Sequence, residues 1–252
     1  MLTEERHDRI RTKLAADGRV LASDLAAEFG VSEDTVRRDL RELARAGACR
    51  RVYGGALPPA PDLGTMTQRQ EVMVECKLKL ASAVVKLISP GQTVFVDAGS
   101  TNLAVAQSLP KDLSVTIVTN APAVALALAD HPLCRTILIG GQFDPAKGAC
   151  LGSQTVRDIE RIHADVLVLG TCGIDTRVGA SALDAEEAEI KRCMVEQSRT
   201  VIVPATADKI GTVAPFAVTG VDRLDHLVIT PDVGLEAVDA FAALGVHVHR
   251  TP

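Results

Sequence analysis

Tryptophan is absent from this sequence, tyrosine occurs once, and aromatic residues make up only 2% of it. That scarcity argues against the ring-stacking platforms of single-strand nucleic-acid binders, and it leaves the core to Val, Leu, Ile and Ala. No apolar run reaches the roughly 18 residues that a membrane-spanning helix needs. The opening MLTEERHDRIRTKL is charged throughout and lacks the apolar stretch of a secretory signal. The six cysteines, at 49, 76, 134, 150, 172 and 193, include no Cys-x-x-Cys pair, which argues against a zinc ribbon or a redox motif. They read as reduced, mostly buried thiols of a cytoplasmic protein without membrane contact. His247 and His249 could share one strand face, but the pair lacks a third ligand and reads as structural. Neither a metal site nor a cofactor is expected.

What remains is an ordinary globular composition: 252 residues, 47% apolar and 23% charged. At roughly 100–200 residues per domain, this length allows one large domain, or a small one joined to a larger one. The net charge of −5 is unevenly placed. Residues 1–60 carry 11 Lys/Arg against 10 Asp/Glu, whereas the remainder carries 16 against 22. Residues 35–53 hold six arginines and two acids, a local net of +4. An acidic chain with one basic patch is suited to a focused phosphate-binding face rather than to coating a polyanion. Charge alone leaves a solvated, arginine-rich helix face equally open. Three prolines and a glycine fall within residues 56–64, a composition for a linker. The expected division is a module at 1–57, a linker at 58–66 and a larger domain at 67–252.

In the small module Leu2, Arg6, Ile10 and Leu14 recur every four residues up to Gly18, which predicts one helix. Ser23 is a candidate cap for a second helix with Leu25, Ala26 and Phe29 inward and Gly30 as its stop. Ser32 is the next cap, and a third helix with Val36, Leu40 and Leu43 inward runs to about Ala46, before Gly47. Two short helices across a tight Gly-Val turn make a helix-turn-helix. Thr35, Arg38 and Glu42 lie off the apolar stripe, where a recognition helix meets a major groove. The segment Arg50-Arg-Val-Tyr-Gly-Gly55 suits a wing lying on a sugar–phosphate backbone. Spacing alone also allows a three-helix protein-interaction module.

The run Ser32-Glu-Asp-Thr-Val-Arg-Arg-Asp-Leu40, with Leu25-Ala-Ala-Glu-Phe-Gly-Val before it and Gly54-Gly55-Ala56 after it, resembles the DeoR/GlpR family of bacterial winged-helix repressors. The resemblance implies that Ser32, Thr35, Arg37 and Arg38 belong to a DNA-reading helix and that Arg51 and Tyr53 belong to the wing. Asp39 is expected to hold an arginine or a helix terminus, since phosphate repels a carboxylate.

Beyond the linker, 68–88 is amphipathic and predicts one long helix. Short apolar, β-branched runs follow at 93–96, 115–118, 136–139, 166–169, 200–203, 227–229 and 246–248. They alternate with helix-length, Ala-rich segments at about 101–109, 122–130, 152–161, 184–198 and 231–244. This pattern predicts an α/β domain with a mostly parallel sheet and helices on both faces, following a small winged helix-turn-helix domain. Ligands then bind beyond the carboxyl ends of the strands, near a switch in strand order. Polar, glycine-rich loops stand there: 97–102, Thr119-Asn120, Gly140-Gly141, 170–175 and 207–211. Gly99, Ser100 and Thr101, opening a helix, have the chemistry of an anion cradle, though a plain N-capped helix start would read alike. The Gly-Lys-Ser/Thr ending of a nucleoside-triphosphate loop is absent.

The order Lys77…Asp97-Ala-Gly-Ser-Thr101…Asn120…Gly140-Gly141…Gly173-Ile-Asp175…Lys191…Asp208-Lys209 resembles the effector domain of the same family, which is similar in fold to ribose-5-phosphate isomerase. It implies a phosphorylated sugar as effector, with Gly99, Ser100, Thr101 and Lys77 around the phosphate. Asp97, Asn120, Asp175 and Lys191 would face sugar hydroxyls, and Lys209 would meet the effector's charge. The isomerase carries an acid where this chain has Cys172, and a general base there needs a carboxylate. The expectation is therefore a sensor without catalytic residues. It would be a regulator, most simply a repressor, working at the nucleoid on double-stranded operator DNA as a homo-oligomer, at least a dimer. Asp175, Glu186, Glu187, Glu189 and Lys191 keep an isomerase-like enzyme with a DNA-binding module as the alternative, against the plain reading of Glu186 and Glu187 as a charged outer helix face.

Overall fold

Aliphatic side chains one helical turn apart build the first part of the chain. The computed structural model describes residues 2–17, 20–46, 48–52, 54–57 and 64–252, with backbone alone at 15–17, 50–52 and 57. It divides into two compact units, Met1–Asp62 and Leu63–Pro252. The first holds α1 (Thr3–Asp17), β1 (Val20–Leu21), α2 (Ala22–Phe29), α3 (Glu33–Arg45), β2 (Arg50–Val52) and β3 (Gly55–Leu57). Ile10 and Leu14 of α1, Leu25 of α2, and Val36, Leu40 and Leu43 of α3 pack into one buried cluster. Gly30 ends α2 in the left-handed conformation, and Ser32 caps α3 by accepting from Thr35 N–H at 3.2 Å. The expected stops at Gly18 and Gly47 lie outside the described residues.

The second helix does not start as expected. It begins at Ala22 with Leu21 in the cap position, and Ser23 Oγ bonds Asp24 instead. The cause is β1, which pairs Val20 with Ala56 and Leu21 with Gly55, so that β3 lies between β1 and β2. Ala22 N–H is then taken by Gly54 O at 2.7 Å, and no side-chain cap is needed. Only glycine tolerates this approach, because a Cβ at Gly55 would fall 2.0 Å from Val20 O. Asp39, on the inner side of α3, accepts from Arg6 of α1 through Nε at 2.7 Å and Nη2 at 3.0 Å. The carboxylate thus holds an arginine, as expected.

The second unit contains α4 (Met66–Glu71), α5 (Val74–Val84), β4 (Thr93–Val96), α6 (Ser100–Gln107), β5 (Val115–Thr119), α7 (Pro122–Ala127), β6 (Cys134–Leu138), β7 (Gln142–Asp144), β8 (Ala149–Leu151), α8 (Ser153–Ile159) and β9 (Ala164–Val168). It continues with β10 (Gly173–Asp175), β11 (Gly179–Ala182), α9 (Ala185–Glu196), β12 (Ser198–Ala205), β13 (Phe216–Thr219), β14 (His226–Ile229), α10 (Leu235–Ala243) and β15 (His247–Arg250). Seven strands form one parallel sheet in the order β15-β14-β12-β9-β4-β5-β6. Val94, Phe95 and Val96 are consecutive and all fully buried. Since alternate side chains point to opposite faces, both faces of the sheet are covered there, which is why its strands read as unbroken apolar runs.

Three antiparallel pieces escaped the sequence reading: the β7–β8 hairpin, the β10–β11 hairpin, and β13 paired with β11. They are only three or four residues long, too short for an alternating or continuous apolar pattern to mark them. The single helix expected at 68–88 is also corrected. It breaks between α4 and α5, where Val72 is extended and Met73 takes φ 54°, and it ends in a 3-10 turn, Val85–Leu87. Lys77 Nζ donates to the Arg69 and Val72 carbonyls left open by the break.

Asp39→Ala would leave Arg6 buried without its carboxylate. Loss of one member of a buried pair costs about 3–5 kcal/mol. Urea unfolding of the full chain should show the first unit destabilised by that order, and a loss below 1 kcal/mol would show that the pair does not secure α1 to α3.

Candidate functional site

Two places in the structure gather chemistry-bearing side chains, one in each unit. On α3 the buried stripe is Val36, Asp39, Leu40 and Leu43, and the helical period turns Arg37, Arg38, Arg41 and Arg45 outward, all exposed. Ser32 Oγ lies 2.9 Å from Thr35 Oγ1, which sets both hydroxyls at the start of the helix. Arg37 pairs with Glu33 at 2.7 Å and lies 3.8 Å from Asp34, and Arg41 Nε donates to Arg37 O at 3.2 Å. Arg38 makes no hydrogen bond or ion pair among the described residues. Arg51 lies in β2, its backbone opposite Ala56. The Arg51 side chain, and Tyr53 altogether, fall outside the described residues.

The second place is where the sheet reverses its order. From β4 the chain moves outward through β5 and β6, and from β9 it moves the other way through β12, β14 and β15. Neighbouring connections therefore part between β4 and β9 and open a crevice at the strand ends. Asp97 follows β4 and Gly170 follows β9, and Gly170 N–H donates to Asp97 Oδ2 at 2.9 Å across the gap. A Cβ at Gly170 would lie 2.9 Å from Ala98 O, so the approach requires glycine. Lys191, from α9, meets the same carboxylate oxygen in a short ion pair and stands 3.2 Å from Glu187 one turn earlier. Burial pulls the Lys191 ammonium down, but Asp97 and Glu187 together outweigh it and keep the lysine charged. Asn102 Nδ2 donates to Asp97 O at 2.9 Å and to Val168 O at 3.1 Å, fastening the first turn of α6 to both strands.

Around this paired interior lie Lys77 and Lys209, which make no ion pair among the described residues. Gly99, at φ 156°, turns the chain so that α6 opens toward the crevice with its first N–H groups free of intrahelical partners. Thr101 is buried and Ser100 half-buried. Ser100 lines a cleft of about 210 Å³ together with Lys77, Gln70, Val74 and Leu103. Lys209 sits in a 3-10 turn, Ala207–Lys209. Its ammonium has no hydrogen bond or ion pair among the described residues. Burial pushes Lys209 below the usual lysine range, with Lys191 and Arg69 adding to the effect against Cys172 and Asp208. Burial also lowers Lys77, followed by the fields of Lys209 and Arg69. The Cys172 thiol is pushed up, by burial first and then by Glu187.

The structure thus brings together Asp97, Lys191, Lys209 and Lys77, and it adds Glu187 and Arg69. Glu187 faces inward with its side chain 15% exposed, whereas Glu186 is exposed. Its spacing of four from Lys191 was the available signal. Arg69 was missed because only the helix break brings it near. Four residues expected to face sugar hydroxyls are held otherwise. Asp97 and Lys191 hold each other, Asp175 accepts from Arg177 and Val178 N–H in its own turn, and Asn120 donates to Cys150 O at 3.0 Å.

Residues 6–60 match the family described as DeoR-like helix-turn-helix domain, and residues 72–230 match DeoR C terminal sensor domain. The chain is 32% identical to the HTH-type transcriptional regulator GlpR of Haloferax volcanii over 98% of both chains. It is 33% identical to the glycerol-3-phosphate regulon repressor of Escherichia coli K12 over 89% of this chain and 90% of that one. Among solved structures, ribose 5-phosphate isomerase A from Methanocaldococcus jannaschii is similar over 54% of each chain, with 12% identity and a TM-score of 0.40.

Lys191→Met would strand Asp97 as a buried carboxylate held by Gly170 N–H. The expected cost is about 3–5 kcal/mol of stability, with part regained in the Asp97→Asn/Lys191→Met double variant because no charge is then left unpaired. Additive losses in a urea double-mutant cycle would count against this coupling.

Proposed function

The chain belongs to the DeoR family of transcriptional regulators, and on that premise we propose that it represses a sugar-catabolism operon and that a phosphorylated sugar changes its hold on the operator. It is a regulator and not an isomerase, as its relatives over nearly the whole chain are named regulators and repressors. In this reading 1–57 binds double-stranded DNA, 58–66 links, and 67–252 senses the effector, in the cytoplasm at the nucleoid. No described helix is long and apolar enough to cross a membrane.

The observation that carries the effector reading is Lys209. A half-buried ammonium without an anion, coupled to Lys77 and Arg69, is costly at neutral pH. A dianionic phosphate at the start of α6 would relieve that cost, and a neutral sugar would not. The glycerol-3-phosphate regulon named for one relative concerns a phosphorylated polyol. On the DNA side, among the described residues Arg38 is unpartnered and Arg37 is held only by exposed pairs, which are weak enough to exchange for phosphate. Ser32, Thr35, Arg51 and Tyr53 complete the proposed DNA contact. A lone winged helix buries about 600–1,000 Å² on DNA, so tight specific binding calls for at least a dimer.

Arg38→Ala is expected to weaken operator binding by about 1–3 kcal/mol if it reads a base, or to lower the salt slope by about one if it holds phosphate. Anisotropy titrations at several salt concentrations test this, and they should also count two or more chains per operator. Unchanged affinity and slope in both Arg37→Ala and Arg38→Ala would remove the assignment.

A sugar phosphate should bind far more tightly than its unphosphorylated form. The coupling to operator binding should be about 1–3 kcal/mol and reciprocal. Ser100→Ala should cost about 0.5–1.5 kcal/mol of effector binding, Lys209→Met more, and neither should alter DNA binding by the effector-free protein. Affinity should fall as pH rises through the depressed Lys209 pKa, since the phosphate needs the protonated ammonium, and Lys209→Met should flatten that part of the profile. In the free protein the same depression makes stability rise with pH from that value up to the unfolded lysine's 10.5. Calorimetry that detects no sugar phosphate at millimolar concentration would overturn this reading.

A further inference from the structure

One edge of the seven-stranded sheet carries a cluster used neither for DNA nor for the effector. β15 is the edge strand, and it pairs in parallel with β14, His226 opposite His247 and Val228 opposite His249. Alternate positions of one strand and the paired positions of its neighbour share a face. The three imidazoles therefore stand on one side of the sheet. The His226 ring lies 5.4 Å from that of His247 and 5.2 Å from that of His249. The third ligand that the sequence pair lacked is thus supplied by β14, 23 residues before His249.

The nearest nitrogens, His226 Nδ1 and His249 Nε2, are 3.1 Å apart. Two imidazole nitrogens on one ion at about 2.0–2.1 Å stand roughly 3.0–3.4 Å apart for angles between about 90° and 110° at the metal. The pair already has that bite. Without an ion, one nitrogen must donate to the other. Burial, followed by the fields of His249 and His247, keeps His226 below the usual histidine range, with Asp225 pulling the other way. His226 and His249 are half-buried and held, whereas His247 is exposed, its nitrogens stand more than 4.8 Å from at least one of the other two ligand atoms, and its ring must turn to reach an ion that the other two hold.

We propose that His226, His247 and His249 bind one first-row transition-metal dication of the zinc class. His226 Nδ1 and His249 Nε2 are the preset ligands, His247 is the third, and water completes the shell. An all-imidazole set suits Zn²⁺, Co²⁺, Ni²⁺ or Cu²⁺ and disfavours Mg²⁺ and Ca²⁺, which want oxygen. The ion would clamp the edge strand to β14, independently of the DNA and effector readings.

The test uses the full chain without a histidine tag, stripped with chelator, then titrated with Zn²⁺ by calorimetry and with Co²⁺ by absorption. One ion per chain is expected, with nitrogen-type Co²⁺ bands, a raised unfolding temperature in Zn²⁺, and no response to Mg²⁺. His249→Gln should lower the Zn²⁺ affinity about a hundredfold or more, since loss of an outer-shell partner alone costs roughly ten- to a hundredfold. His247→Ala, at an exposed side chain that the fold does not need, should lower it about tenfold. Wild-type Zn²⁺ binding by His247→Ala and by a folded His249→Gln would overturn the proposal, and would place the ion elsewhere, for example at the His7, Asp39 and Glu42 group. A thiolate charge-transfer band with Co²⁺, or no Zn²⁺ binding at millimolar concentration, would also overturn it.

Discussion

Asp97 leaves water at the end of β4, and the crevice depends on that charge staying paired. A lone carboxylate at 1% exposure would be neutral or ruinous to stability. Its partners come from three other places: Lys191 from α9, Gly170 N–H from the end of β9, and Asn102 from α6, which holds the Asp97 backbone. Satisfying the charge fixes the ends of β4 and β9 and the place of α9, and Asn102 sets the start of α6 at the mouth of the crevice by holding the Asp97 and Val168 carbonyls.

The same contrast between paired interior and unpaired surface recurs in both units. Inside α3, Asp39 is gripped by the Arg6 fork, while on its outer side Arg38 has no partner among the described residues. Inside the crevice, Asp97, Lys191 and Glu187 balance one another, while the Lys209 ammonium pairs with no anion among the described residues. Buried charges secure these frames because losing a partner is expensive. An exposed cation such as Arg38 is tolerable in water without an anion, whereas the half-buried Lys209 ammonium is costly, and an arriving anion improves the situation of both. Lys77 stands between the two cases. Its ammonium is buried among the carbonyls of a broken helix, yet it still feels Lys209 and Arg69.

The sheet edge follows from the same geometry without any charge. Parallel register sets residues far apart in the chain side by side on one face, so two histidines on β15 acquire a third from β14. Nothing in the local spacing of 247 and 249 announces His226. The pairing of β14 with β15 alone decides it.

The seven parallel strands, the helices between them and the caps at Ser32 and Gly30 were legible in the sequence, because each is set by residues within one or two turns of itself. The strand positions hold to within two residues, as at β5, read as 115–118 and found at Val115–Thr119, whereas α7, read to 130, ends at Ala127 and α10, read from 231, starts at Leu235. The outward arginines of α3 were legible for the same reason, since its apolar stripe leaves them no other side. The start of α2 was misread because β3, more than thirty residues later, fills the place of its cap. The break before α5, the inward turn of Glu187 and the meeting of Asp97 with Lys191 across 94 residues were likewise beyond local reading. Periodicity and capping are short-range effects written into neighbouring residues. Ion pairs, ring clusters and ligand crevices arise only where strand order has brought distant residues within a few ångströms, and for those the tertiary structure alone decides.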